Sequence, residues 1–376
     1  MRLFKLHALH SLTLIVAVLL SAASLPLTGA SVSAQNTAVL DGKLIYITES
    51  NRETSFFDRS DQGLSHLGGI LQRLGAEVLP LDWRRDIPNN ADLVIIAGPT
   101  RRFEAGQVGR LWAYLNNGGS LLVLSDPLIV SEGDNGLETQ LNTAIESNRG
   151  IFELTWPDLG VRGRDDIVLP NEGNTNSEVL SMSPPSQEEQ SRRLAFTTGN
   201  VGAGHAVTDS IAQELVFFGA RSVQYDSSIQ RFRATPLIFA PDSFYGETEY
   251  SDYLDTGFAP TFSSGDTTNH TLALAAAAEN PTMGTRIVVI GDLDFATNGS
   301  GLRTSPPNSS NFEHPENVQF LINAVAWLMN AETASVADLL ADQSKPTRTP
   351  APTLSLTPLS FTAEATVTAT PVAESP

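Results

Sequence analysis

Residues 91–127 read ADLVIIAGPTRRFEAGQVGRLWAYLNNGGSLLVLSDP, and this stretch decides the fold. Asp92 to Ala97 is a continuous apolar run, the pattern of a strand covered on both faces. Val108, Leu111, Trp112 and Leu115 then recur at helical spacing and mark one helix face, which Asn117-Gly118-Gly119 ends. Ser120 to Leu124 supplies a second buried strand. A strand, a helix and another two-sided strand form a parallel unit, because only a crossover connection lets successive strands run the same way.

Upstream the same alternation recurs. Lys43 to Thr48 predicts a strand, and Leu64, Leu67, Leu71 and Leu74 predict a helix closed by Gly75. Ala76 to Leu81 predicts another strand, which Pro80 confines to a sheet edge or a strand end because it cannot donate to a ladder. Two such units in succession imply an α/β fold with a doubly wound, mostly parallel sheet. Downstream, residues 131–193 are rich in Asn, Ser, Glu, Gly and Pro, and read as a long irregular insertion with loops of its own rather than a separate core. Order returns at Glu214 to Phe218, Pro236 to Ala240, Leu272 to Ala278 and Arg286 to Ile290. The last two are joined by Asn280-Pro281 and Gly284, turn residues that predict an antiparallel hairpin. A final helix opens at His314-Pro315 and carries Val318, Leu321, Ile322, Val325 and Leu328 on one face. The α/β domain is assigned to residues 35–335.

The two ends differ from this domain. Arg2 and Lys5, the apolar run Leu12 to Leu20, and the small residues Ser31-Val32-Ser33-Ala34 have the order of a secretory signal over residues 1–34, with cleavage expected after Ala34. The competing reading is an uncleaved membrane anchor, for which the run is short and interrupted by Pro26. Residues 336–376 are assigned to a disordered tail, with Pro, Thr, Ser and Ala dominating from about Ser344.

Composition narrows the function classes. The 376 residues carry a formal charge of −19, which becomes −21 without the leader, and a chain so acidic repels nucleic-acid phosphate. No nucleic-acid partner is expected. The absence of cysteine excludes disulfides, thiolate metal sites and a cysteine nucleophile. Neither GxSxG nor GxxxxGK[ST] occurs, and no histidine pair has the spacing of HExxH. No cofactor is assigned.

In doubly wound sheets ligands bind beyond the carboxyl ends of the strands. Thr100 follows one such strand, Ser125 and Asp126 follow the next, and Asp292 and Asp294 follow Arg286 to Ile290. Asp58 and His66 lie on the loop and helix start after the first strand, and Asn298 follows the last acids. Paired carboxylates there could exchange protons or hold a hard cation. Alternatively, Asp126 and Asp292 cap helices and turns, the usual task of such residues. Phe244, Tyr245, Tyr250 and Tyr253 could form a sugar-stacking platform or simply pack a loop on the domain edge.

Taken in order, residues 91–127, GVRGRDDIVLP from Gly160, GHAVTDSI from Gly204, VFFGARSV from Val216, TPLIFAPDSFYGE from Thr235 and RIVVIGDLDFATN from Arg286 resemble the auxiliary domain of uncharacterised ABC-type transport systems, which includes the Gld-type gliding-motility proteins. In the last segment Asp292 and Asp294 stand on the acids of that family's GDSDF-like turn, with Asn298 on the following polar position. SNRETSFFDRSDQGLSHLGGILQRLGAEV also looks like the start of glutamine-amidotransferase-like domains. The resemblance implies a flavodoxin-like or class I glutamine amidotransferase-like domain outside the membrane, beside a separately encoded permease and ATPase, with no established catalytic residues. The expected function is therefore a non-catalytic accessory or ligand-binding component, the ligand being an unknown small molecule or glycan. A carboxylate- or metal-assisted hydrolase and a surface glycan-binding module are the alternatives.

Overall fold

The computed structural model describes residues 38–99, 101, 103–127, 158–170, 194–249, 262–267 and 272–341. Five strands run parallel in the order β2 (Glu77–Pro80), β1 (Leu44–Ile47), β3 (Leu93–Ala97), β4 (Ser120–Leu124) and β13 (Thr285–Ile290). This is the 2-1-3-4-5 order of flavodoxin-like folds, with its switch point between β1 and β3. Helix α1 (Ser65–Arg73) joins β1 to β2, and α2 (Ala105–Asn116) joins β3 to β4. β2 forms the edge, as Pro80 at its end requires.

β13 continues into antiparallel structure. β12 (Ala273–Asn280) pairs along its length through the expected turn, from Ala275 opposite Ile290 to Asn280 opposite Thr285. β10 (Arg233–Phe239) and β9 (Val223–Tyr225) pair with β12, and β5 (Val161–Gly163) closes this side by pairing with β9, completing nine strands. Two hairpin-like pairs stand apart: β6 (Ile167–Pro170) with β11 (Phe244–Glu247), and β7 (Ala195–Thr198) with β8 (Leu215–Phe218). β5 and β6 correct the reading of residues 131–193 as a pure excursion. β5 belongs to the main sheet, and residues 128–157 and 171–193 lie outside the described residues. Phe244 and Tyr245 likewise sit in strand β11 and not on a platform, with Tyr245 buried; Tyr250 and Tyr253 are outside the described residues.

Each face of the sheet has its own core. One holds Ile45, Ile47, Ile95, Leu122, Val288 and Ile290 against α1 and against α3 (Pro315–Leu328). The other sets Val94, Ile96, Leu121, Val123, Ile287 and Val289 against Leu111 and Leu115 of α2. Alternation along strands flanked on both faces explains why their sequences are continuous apolar runs. Pro315 occupies the first helical position of α3, where its missing N–H costs nothing.

The packed chain also passes the expected boundary after Ser335. Helix α4 (Val336–Ala341) docks beside α3 through Leu339, which is 1% exposed, and Val336 N donates to Gln319 Oε1 at 2.9 Å. Residues 1–37 and 342–376, with the expected leader and the rest of the expected tail, are outside the described residues. Among the described residues no helix is long and apolar enough to cross a membrane. Leu339→Ala is expected to cost about 2–5 kcal/mol, the range for truncating a buried leucine, and chemical denaturation measures it. A chain ending at Ser335 should lose comparable stability.

Candidate functional site

The parallel strands end on one edge, where polar side chains gather at two places. Between β1 and β3 the amides of Asn51 and Gln107 face each other: Gln107 Nε2 donates to Asn51 Oδ1 at 2.8 Å, and Asn51 Nδ2 donates to Gln107 Oε1 at 3.2 Å. The same Oε1 accepts from Glu104 N at 2.8 Å and so fixes the start of α2. Glu53 lies buried beside them, its Oε2 accepting from Asn51 N at 2.6 Å, and burial pushes its carboxyl above the ordinary range. The Asn51–Gln107 pair thus forms the floor of the switch-point crevice. A groove of about 590 Å³ opens above it, lined by Asn51 and Gln107 and bordered by Asp82, Trp83, Arg84, Arg101, Glu104 and Arg110.

The second group lies beyond β4 and β13. Ser125, Asp126 and Asp292 are fully buried and Asp294 is 6% exposed. Asp292 Oδ2 accepts from Phe218 N at 2.6 Å and its Oδ1 from Phe295 N at 3.0 Å, so one carboxyl satisfies β8 and the start of the 3-10 turn Asp294–Ala296. Burial first, then the charges of Asp126 and Asp294, hold the Asp292 carboxyl well above the usual carboxylate range. Asp294 Oδ1 accepts from Thr297 Oγ1 at 3.0 Å. The capping alternative describes Asp292 well.

At the centre stands a residue that sequence reasoning missed. Arg221, on the link between β8 and β9, has a fully buried side chain. Its guanidinium donates to Arg164 O at 2.6 Å, Asp165 Oδ1 at 3.0 Å and Ser125 Oγ at 3.2 Å. Burial lowers its pKa, while Asp165, Asp166 and Asp126 favour the charge. Asp166 receives Ser222 N at 2.8 Å, Ser222 Oγ at 2.6 Å and Thr267 Oγ1 at 2.9 Å. Gly291 lets the backbones meet: Arg221 N donates to its carbonyl at 2.7 Å, and a Cβ there would lie 2.1 Å from Arg221 O. The signal available in sequence was a lone arginine within an apolar run, Phe217-Phe218-Gly219-Ala220-Arg221.

The remaining candidates gather around α1. Asn298 Oδ1 accepts from His66 N at 2.8 Å, and its Nδ2 donates to Ser60 O at 2.7 Å, Asp58 O at 3.1 Å and Ser65 Oγ at 3.2 Å. Asn298 therefore caps α1 from the far end of the chain, in a helix that lacks a local side-chain cap. His66 Nδ1 lies 2.8 Å from Leu302 O, an acceptor, so this nitrogen carries the proton. The Asp58 carboxylate turns back onto Ser60. Thr100 is outside the described residues. The candidates form two groups: Ser125, Asp126, Asp292 and Asp294 in one, Asp58, His66 and Asn298 in the other. Among the described residues no three His, Asp or Glu side chains gather to hold a metal ion.

The geometry defines a flavodoxin-like α/β scaffold whose acids beyond β4 and β13 are buried. The family is settled by sequence: the chain belongs to the family described as ABC-type uncharacterized transport system, whose model matches residues 42–324. No curated protein matches the chain. Among solved structures it is similar to the mmIFT52 N-terminal domain, at 15% identity and TM-score 0.46, covering 76% of this chain and 97% of that one. A ThuA-like protein from Bacteroides uniformis shares 12% identity at TM-score 0.37, over 76% and 90% of the two chains. A β-galactosidase from Rahnella sp. R3 shares 11% at TM-score 0.37, over 77% of this chain and 32% of that one. These likenesses are too distant to carry a functional argument.

Two outcomes follow from the buried polar groups. Arg221→Ala removes the donor to Arg164 O and buried Ser125 and the cation facing buried Asp126, and should cost about 3–5 kcal/mol in denaturant unfolding. Glu247, at the end of β11, accepts from Tyr245 Oη at 3.1 Å and Glu249 N at 2.8 Å, and its pKa is pushed up to about 7 by burial and by Asp266. A carboxyl raised on folding adds stability below its unfolded pKa and loses it as pH rises through its folded one. Stability should therefore fall between about pH 4.5 and 7 by up to about 3 kcal/mol, and Glu247→Gln should flatten that slope in urea titrations at stepped pH.

Proposed function

We propose that this protein is a non-catalytic, extracytoplasmic accessory component of an ABC-type transport system, of the Gld type, which binds a ligand or holds the transporter in a productive arrangement. The family supports the accessory role. The observation that carries the non-catalytic reading is the burial of Asp126, Asp292 and Asp294 at the strand ends, where α/β enzymes present their reactive groups. A hydrolase using those acids would need a carboxylate facing water and substrate, and Asp292 instead accepts two backbone N–H groups. The leader-like residues 1–34 support export.

Crosslinking in native membranes followed by affinity capture of the full chain is expected to recover a permease and an ATPase. Recovery from the medium with no membrane partner would overturn the transport role. N-terminal sequencing of mature protein should begin at Gln35, and a folded cytosolic form retaining the leader would overturn export.

A further inference from the structure

A groove of about 660 Å³ runs along the outer face of α1, within the size range of small-molecule sites. Gly68 and Gly69 form its floor, and a Cβ on Gly69 would meet nothing within 4 Å, so the missing side chain is what leaves the space open. Arg59, His66 and Arg73 line it, and no carboxylate does. In a chain with 42 acidic and 23 basic residues, a cavity whose charged lining residues are all basic is opposite in sign to the chain as a whole. Arg73 has no carboxylate partner among the described residues, and burial alone lowers its pKa. Two aromatic rings flank these bases: Phe57, 57% exposed, and Phe312, edge-on to His66 with centroids 6.4 Å apart. An adjoining cavity of about 160 Å³ shares Arg59 and His66 and adds Arg303 and Asp61. Arg303 is held by Glu313 at 3.5 Å, which leaves Arg59 and Arg73 as the bases available to a ligand.

We propose that the α1 groove binds a small organic oxyanion carrying an apolar body, the oxyanion meeting Arg59 and Arg73 and the apolar part lying against Phe57 and Phe312. An exposed phenylalanine beside unpaired guanidinium groups has the two-part chemistry such a molecule requires. The proposal rests on the accessory-binding reading and gives its ligand a class.

The test is calorimetry on the mature chain with phenyl phosphate as probe and inorganic phosphate as reference. Phenyl phosphate is expected to bind saturably at one site and at least tenfold more tightly than phosphate. Arg59→Ala with Arg73→Ala should weaken it at least tenfold. Gly69→Leu should abolish it while leaving the melting temperature equal or raised, because leucine favours the helix and enters open space. Arg101→Ala, at the other groove, should change nothing. Equal affinity for the two probes, or unchanged binding by Gly69→Leu, would reduce the groove to general charge attraction and overturn the proposal, as would absence of saturable binding. Capture of the permease is read separately, so its outcome distinguishes failure of the groove from failure of the accessory role.

Discussion

The guanidinium of Arg221 is the interaction on which the rest of the structure depends. A buried cation is tolerated only when its donors find acceptors, and here they are drawn from separate elements: the loop between β5 and β6 through Arg164 and Asp165, and the tip of β4 through Ser125. Its own backbone N–H reaches Gly291 at the tip of β13. One side chain thus joins the parallel half of the sheet to the antiparallel half. Asp126 and Asp292 lie inside the same polar knot, so ionising the acids and opening the strand ends are one problem.

That knot changes what the fold can be used for. A doubly wound sheet ordinarily offers the crevice beyond its strands, where loops leave room for a ligand. Here the Asn51–Gln107 pair floors the groove at the switch point, and the Arg221 knot fills the neighbouring edge. A second groove lies on the flank, along α1, where a helix containing adjacent glycines leaves space and Arg59 and Arg73 are exposed. Asn298 sets the position of that helix, so residues on the strand-end loop still shape the flank without meeting a ligand themselves.

The sequence carried the parallel half of the fold in legible form because strands buried on both faces need continuous apolar runs. Leu93–Ala97, Ser120–Leu124 and Thr285–Ile290 all lie where those runs predicted them. β5 and β9 were missed because each spans three residues and owes its extended form to its partner, not to local preference. α4 was assigned to the tail because one turn and a half of helix has little periodicity, and Leu339 is identifiable only by the core it enters. Within the site, placing Ser125, Asp126, Asp292 and Asp294 together required only that parallel strands end on the same edge. That Asn298 should cap α1 could not be read, since the partners are separated by 232 positions and no spacing rule connects them.

β13 lies between β4 and β12 in the middle of the sheet, yet it is the last strand among the described residues. Until residues 285–290 are available, β4 has no neighbour on that side and the two halves have no common seam. Closure of the hydrogen-bonded array therefore waits for the final quarter of the polypeptide to be synthesised, and contacts of such long range form slowly. Strand order thereby imposes a delay on folding, during which the parallel half stands with one open seam.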